Sequence, residues 1–78
     1  MRSIEKIVVV NDYKLRCTFN NNIVKLADIS VYLDAPAFQP LKNKTEFSKV
    51  LNKSYFVEWS DSEVDLSADT LWHIGIEE

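Results

Sequence analysis

KLRCTF, residues 14–19, alternates without a break. Leu15, Cys17 and Phe19 fall on one side of an extended chain, and Lys14, Arg16 and Thr18 on the other. Successive side chains of a strand point to opposite faces, so period two marks a strand with one face buried. Asn20, Asn21 and Asn22 follow, a residue type that tolerates the positive φ of tight turns. Residues 23–28 then return, with Val24 and Leu26 expected inward. Upstream, Ile4–Val10 is rich in β-branched Ile and Val and ends at Asn11-Asp12, a second turn signal. Three strands joined by such short loops read as an antiparallel meander.

Beyond the meander the pattern changes. In residues 29–41, Pro36 and Pro40 each remove a backbone donor and bias the preceding residue away from helix. Ile29, Tyr32, Leu33, Phe38 and Leu41 are too apolar for an idle loop, so this segment is expected to cover an edge of the core. Asn43 with Glu46 three residues on has the spacing of a capping box. Phe47, Val50 and Leu51 then give a short helix over residues 44–52 an apolar stripe, with Lys42, Lys49 and Lys53 on another face. Residues 55–59 read as a fourth strand, in which Tyr55, Val57 and Trp59 oppose Phe56 and Glu58, and residues 64–66 as a fifth. Ser67 or Asp65 is placed to cap a helical turn over residues 68–73, with Asp69 where the helix dipole favours negative charge. The expected fold class is α+β: an antiparallel meander and a second β-hairpin packed with one short helix and a C-terminal helical turn. The single glycine, Gly75, marks no linker, so residues 1–78 form one domain.

Bulk composition limits the chemistry. With 78 residues, the chain buries only about 60–65% of its unfolded surface, yet 46% hydrophobic content is ample for a packed core. One cysteine forms no internal disulfide, which favours a reducing compartment. The apolar run IVVV is far too short for a signal-peptide core or a membrane span. A cytoplasmic location with no membrane contact is the expectation.

Charge divides sharply along the chain. Residues 1–53 hold all nine Lys and Arg against five acids, a balance of +4, whereas residues 54–78 hold seven acids and no base. Five of those acids crowd into VEWSDSEVDLSAD, residues 57–69. Asp61, Glu63 and Asp65 match the first spacings of an EF-hand loop, but Leu66 stands where its glycine is needed and Trp72 where its last glutamate is needed. Acid–base hydrolysis would need two carboxyls across a cleft, with Glu58 beside Trp59 the one candidate acid, in a domain too small to enclose a deep pocket. Cys17 and His73 are single copies far apart, too few for zinc or a thiol–imidazole pair. One glycine builds no phosphate loop. Lys42, Lys44, Lys49 and Lys53 suggest a basic helix, but with a net charge of −3 the whole-domain field repels nucleic acid. The acidic segment is therefore either neutralised by the basic one within the fold, or left as an anionic patch for a basic partner with Trp59 or Trp72 as its aromatic anchor.

FVEWSDSEVDLSADTLW, residues 56–72, resembles the C-terminal half of a small bacterial family known as domain-of-unknown-function family 2442. A Trp closes a strand, a polar turn follows, and then comes Asp-Leu-small-Ala-Asp. DYKLRCTFNNNIVKLADIS at residues 12–30, FQPL at 38–41 and Glu46-Phe47 are similar too, so the likeness spans residues 4–72. The chain departs from the family at Asn20, Asn21 and Asn22 and at Asp61, Ser62 and Glu63, where Asp-Gly-type turns are usual. The resemblance implies an α+β fold without known enzymatic activity. Some relatives carry a following helix-turn-helix, and others resemble members of toxin–antitoxin gene pairs. It supplies no catalytic residue.

The expected function is a non-enzymatic protein-binding or accessory module, in one form antitoxin-like. It needs no cofactor or metal, and its partner is a basic protein met by Glu58, Trp59, Asp61, Glu63 and Asp65. The alternatives are a small hydrolase or ligand-binding protein using a carboxylate near Trp59, and a structural homo-oligomer packing through Phe38, Phe56 or Trp72.

Overall fold

In the computed structural model, which describes residues 2–78, strand β2 (Lys14–Phe19) lies at the centre of a four-stranded sheet. Its alternation is fully expressed, since Leu15, Cys17 and Phe19 are all completely buried. Strand β1 (Ile4–Val10) pairs antiparallel with it, Val10 opposite Lys14, and the register shifts between Ile4 and Lys6. The turn between them holds Asp12 and Tyr13 at φ of 64° and 62°. Such a backbone is unfavourable for a tyrosine, and tertiary contacts retain it. The Tyr13 hydroxyl donates to the Lys42 carbonyl, and its ring meets that of Phe47 edge-on at 5.3 Å. Asn22, at φ 68°, closes the next turn as its residue type suggests.

Strand β3 (Val24–Asp28) joins the other side of β2 in the opposite phase to expectation. Val24 and Leu26 are only half-buried, while Ala27 is completely buried. The register explains this: Leu15 faces Ala27 and Cys17 faces Lys25, so the odd-numbered residues share the core face. Helix α2 (Ala68–Ile74) packs on β3. Lys25 lies on that face and reaches out along it to donate to the Trp72 carbonyl at 2.9 Å. Two-residue β7 (Ile76–Glu77) completes the sheet, in the order β1-β2-β3-β7.

Residues 29–42 form two 3₁₀ turns, Ile29–Tyr32 and Pro36–Lys42. They cover the core with buried Ile29, Leu33 and Leu41, and with Tyr32 and Phe38 stacked at 5.6 Å. Helix α1 (Lys44–Phe47) starts where expected, the Asn43 side chain accepting from the Thr45 and Glu46 amides. It is one turn long instead of running over residues 44–52. The Phe47 carbonyl, which a continuing helix would offer to the Leu51 amide, accepts the Trp59 indole N–H at 2.7 Å. Leu51 and Asn52 are thereby free to form β4 (Leu51–Asn52), opposite Glu58 and Val57 of β5 (Phe56–Trp59).

Strand β6 (Val64–Ser67) completes a second sheet, β4-β5-β6, which buries Val57, Trp59, Val64 and Leu66. The α+β class and second hairpin hold, with β4 and β7 as additions. Helix α2 is capped by Ser67, whose hydroxyl accepts from the Thr70 amide, and ends at Gly75. The φ of Gly75, −72°, suits any residue. A glycine is needed because a Cβ would stand 2.8 Å from both the Leu71 carbonyl oxygen and the Lys25 Cβ.

Two substitutions test this packing. Ala27→Leu and Gly75→Ala should each destabilise the chain by about 1–3 kcal/mol through overpacking, read as a lower urea midpoint with unchanged slope. A neutral Ala27→Leu would contradict the β3 register.

Candidate functional site

Directly opposed residues of antiparallel strands share a face, and the pairing of β4, β5 and β6 sets Leu51, Glu58 and Asp65 in one row, with Phe56 and Ser67 in the next. This is the face turned away from the core, because Val57 and Trp59 occupy the other side. Glu58 and Asp65 are thus two carboxylates directly across from each other. Such a pairing of like charges is destabilising, and the structure relieves it only in part. Lys53 Nζ lies 3.6 Å from Glu58; among the described residues Asp65 has no ion pair.

The 3₁₀ turn Ser60–Ser62 joins the two strands and ends on Glu63 at φ 56°. Asp61 and Glu63 are both exposed. Asp61 approaches Lys49 Nζ at 3.4 Å, and Glu46 holds the same ammonium at 3.0 Å. These two hydrogen bonds, the Glu46 bond the stronger, raise the Lys49 pKa. Of the remaining late acids, Asp69 pairs with Arg2 at 2.8 Å and Glu78 with Arg16 at 2.6 Å. The Arg16 hydrogen bond lowers the Glu78 carboxyl and is itself reflected in a raised Arg16. The basic and acidic halves of the chain thus compensate each other at four acids, Glu58, Asp61, Asp69 and Glu78. Among the described residues, Glu63, Asp65 and Glu77 are left without an ion pair, and Glu63 and Asp65 of these lie on the β5-β6 hairpin.

Trp59 does not belong to this surface. Its side chain is 1% exposed, its ring lies 5.7 Å from that of Phe47, and its indole N–H is bound to the Phe47 carbonyl. The apolar residues beside the carboxylates are instead Leu51, 46% exposed, and Phe56, 36% exposed. Phe56 was legible from its alternation with Val57. Leu51 was not, because the stripe with Phe47 and Val50 assigned it to a helix.

The other candidates are also placed. Trp72 meets Phe19 edge-on at 5.1 Å, and its ring also carries the Arg2 guanidinium at 4.2 Å and the Lys25 ammonium at 3.8 Å from its centroid. Phe38 is taken up by its stack on Tyr32. Both rings are half-buried against these neighbours. Lys42, Lys49 and Lys53 each have an acidic neighbour. His73 is exposed while Cys17 is completely buried, and burial pushes its thiol up to about 12. Among the described residues no three His, Cys, Asp or Glu side chains gather as metal ligands. A groove of about 160 Å³ is lined by Val9, Val10, Tyr13, Lys44 and Phe47 among others, and a shallower one by Arg2, Asn20, Asn21 and Asp69. Glu58 lines neither. Among the described residues no helix is long and apolar enough to cross a membrane.

A family model described as protein of unknown function (DUF2442) matches residues 4–77, and the chain belongs to this family. The resemblance read over residues 4–72 therefore holds and extends almost to the C-terminus. No curated protein and no solved structure matches the chain.

The thiol gives a pH prediction. Between the ordinary thiol value of 9.0 and about 12, the folded state keeps a proton that the unfolded state releases, so stability contributed below that window is lost as pH rises through it. The urea midpoint should fall on going from neutral to alkaline pH, and more steeply than in Cys17→Ala. Equal slopes would contradict the burial of Cys17.

Proposed function

We propose that this chain is a non-enzymatic accessory protein that binds another protein through the outer face of the β4-β5-β6 sheet. The observation that carries the reading is the opposition of Glu58 and Asp65 beside exposed Leu51 and Phe56. Two carboxylates facing each other across a strand pair cost the free protein stability, and a cation inserted between them reverses the sign. A guanidinium does this best, because its planar fork engages carboxylates bidentately. Leu51 and Phe56 add apolar area next to the charges, the combination of apolar centre and polar margin that protein interfaces use. Asp61 and Glu63 extend the negative field over the adjoining turn, which speeds encounter with a positive partner more than it adds affinity.

The partner fitting this face is a basic segment in which Arg or Lys alternates with apolar side chains. A cytoplasmic setting accords with the single buried thiol. A narrower form of the same reading is antitoxin-like, the partner being a small basic protein encoded next to this one.

One substitution separates a binding surface from indifferent charge. Asp65→Lys converts the repulsive opposition to Glu58 into an attractive one, so the free chain should gain about 0.2–1 kcal/mol. The same change should weaken capture of the basic partner roughly tenfold or more at low salt, about 1.4 kcal/mol. A partner bound equally well by Asp65→Lys would remove the proposal.

A further inference from the structure

β1 is the outer strand of its sheet, and only its beginning has a second neighbour. The Ile4 amide donates to the Ser54 carbonyl at 2.7 Å, and the Ile4 carbonyl accepts from the Asn52 side chain at 2.9 Å. Beyond that point, among the described residues, no strand lies against the open side of residues 6–10. Exposed edges are normally blunted by proline, by charged side chains, lysine above all, or by a bulge, each acting where it stands along the strand. Here the register shift comes before Lys6, Lys6 shares the outer face with Thr18, and Ile7, Val8, Val9 and Val10 carry no charge. Val8 and Val9, on opposite faces, are each 38% exposed.

We propose that a second copy of this chain occupies the edge, with β1 pairing antiparallel to β1 about a two-fold axis at Val8 and two four-stranded sheets fusing into one. This surface is separate from the acidic face of the other sheet. The strand is complementary to itself about that axis: Val8 meets Val8, Ile7 meets Val9, and Lys6 meets Val10, with no like charges opposed. Other centres fail. An axis at Lys6 opposes two ammonium groups. One at Ile7 opposes Val10 to Ile4, whose amide and carbonyl are already bonded to Ser54 and Asn52. An axis at Val9 or Val10 runs the pairing into the turn, where Asp12 and Tyr13 have left-handed backbones.

Two side-chain features favour a copy of this chain over an unrelated strand. Val9 shares the core face with Leu15, so Ile7 of the second copy, opposite Val9, arrives at the mouth of the groove lined by Val9, Tyr13 and Phe47. Lys6 opposes Val10 of the second copy, which brings its ammonium towards Asp12 in the turn that follows Val10, a charge of opposite sign.

Sedimentation of the full chain tests this. Wild type should run at twice the monomer mass. Val8→Lys and Val8→Glu should each run as monomers, since each sets like charges against themselves at the axis, and their equimolar mixture should recover the dimer. Val8 faces outward opposite Arg16, so Val8→Glu should retain the wild-type circular dichroism, and Val8→Lys, which sets a second cation against Arg16, should retain it with slightly lower stability. Where one does not fold, isotope-filtered NMR on mixed labelled and unlabelled wild type should show Val8-to-Val8 contacts between chains. A monomeric wild type, charged variants that associate unchanged, a mixture that stays monomeric, or absent Val8 contacts would each overturn the proposal.

Discussion

The hydrogen bond from the Trp59 indole to the Phe47 carbonyl, 2.7 Å long, decides more of this structure than any other single contact. Trp59 is the largest completely buried side chain, and a buried indole N–H without a partner costs about 1–3 kcal/mol. By taking the Phe47 carbonyl it ends α1 after one turn and releases Leu51 and Asn52 to pair with β5. By holding Trp59 inside, it fixes the phase of β5, and with it the outward direction of Phe56 and Glu58. The acidic face is thus the reverse side of a packed core strand and not a loose charged loop.

What could be read from residues alone follows from how local each determinant is. β1, β2 and their turns were legible because period-two patterning and asparagine turns act within a few residues. The Asn43 and Ser67 caps were legible for the same reason. The end of α1 was not, because the group that stops it lies twelve residues away and acts through space. β4 and β7 are two residues long and exist only through pairing with β5 and β3. The inverted phase of β3 shows a limit of size as a guide: Val24 and Leu26 look more like core than Ala27, but the register set at the Asn22 turn puts Ala27 on the core face opposite Leu15. At the candidate site, strand parity placed Glu58 outside. Trp59 shares the face of Val57, so the alternation that buries one buries both.

Charge asymmetry along the chain also becomes intelligible in three dimensions. Early cations and late acids meet at Arg2 and Asp69, Arg16 and Glu78, Lys49 and Asp61, and Lys53 and Glu58. Each pair is largely exposed and contributes little alone, but together they link the N-terminal end of the chain, the central strand and the α1 region to the C-terminal half. Of the three late acids not used this way, Glu77 lies on β7 of the other sheet, and Glu63 and Asp65 lie on the same hairpin as the opposed carboxylates. The proposed binding surface and the packed core therefore lie on opposite faces of β5 and β6.

The most direct test is hydrogen exchange of the Trp59 indole proton followed by NMR as denaturant is added. It should exchange as slowly as the Cys17 amide of β2 and with the same denaturant dependence, showing that it is released only by global unfolding. Exchange that is fast and insensitive to denaturant would mean that the indole is not locked on Phe47, and that the outer face of the second sheet has some other support.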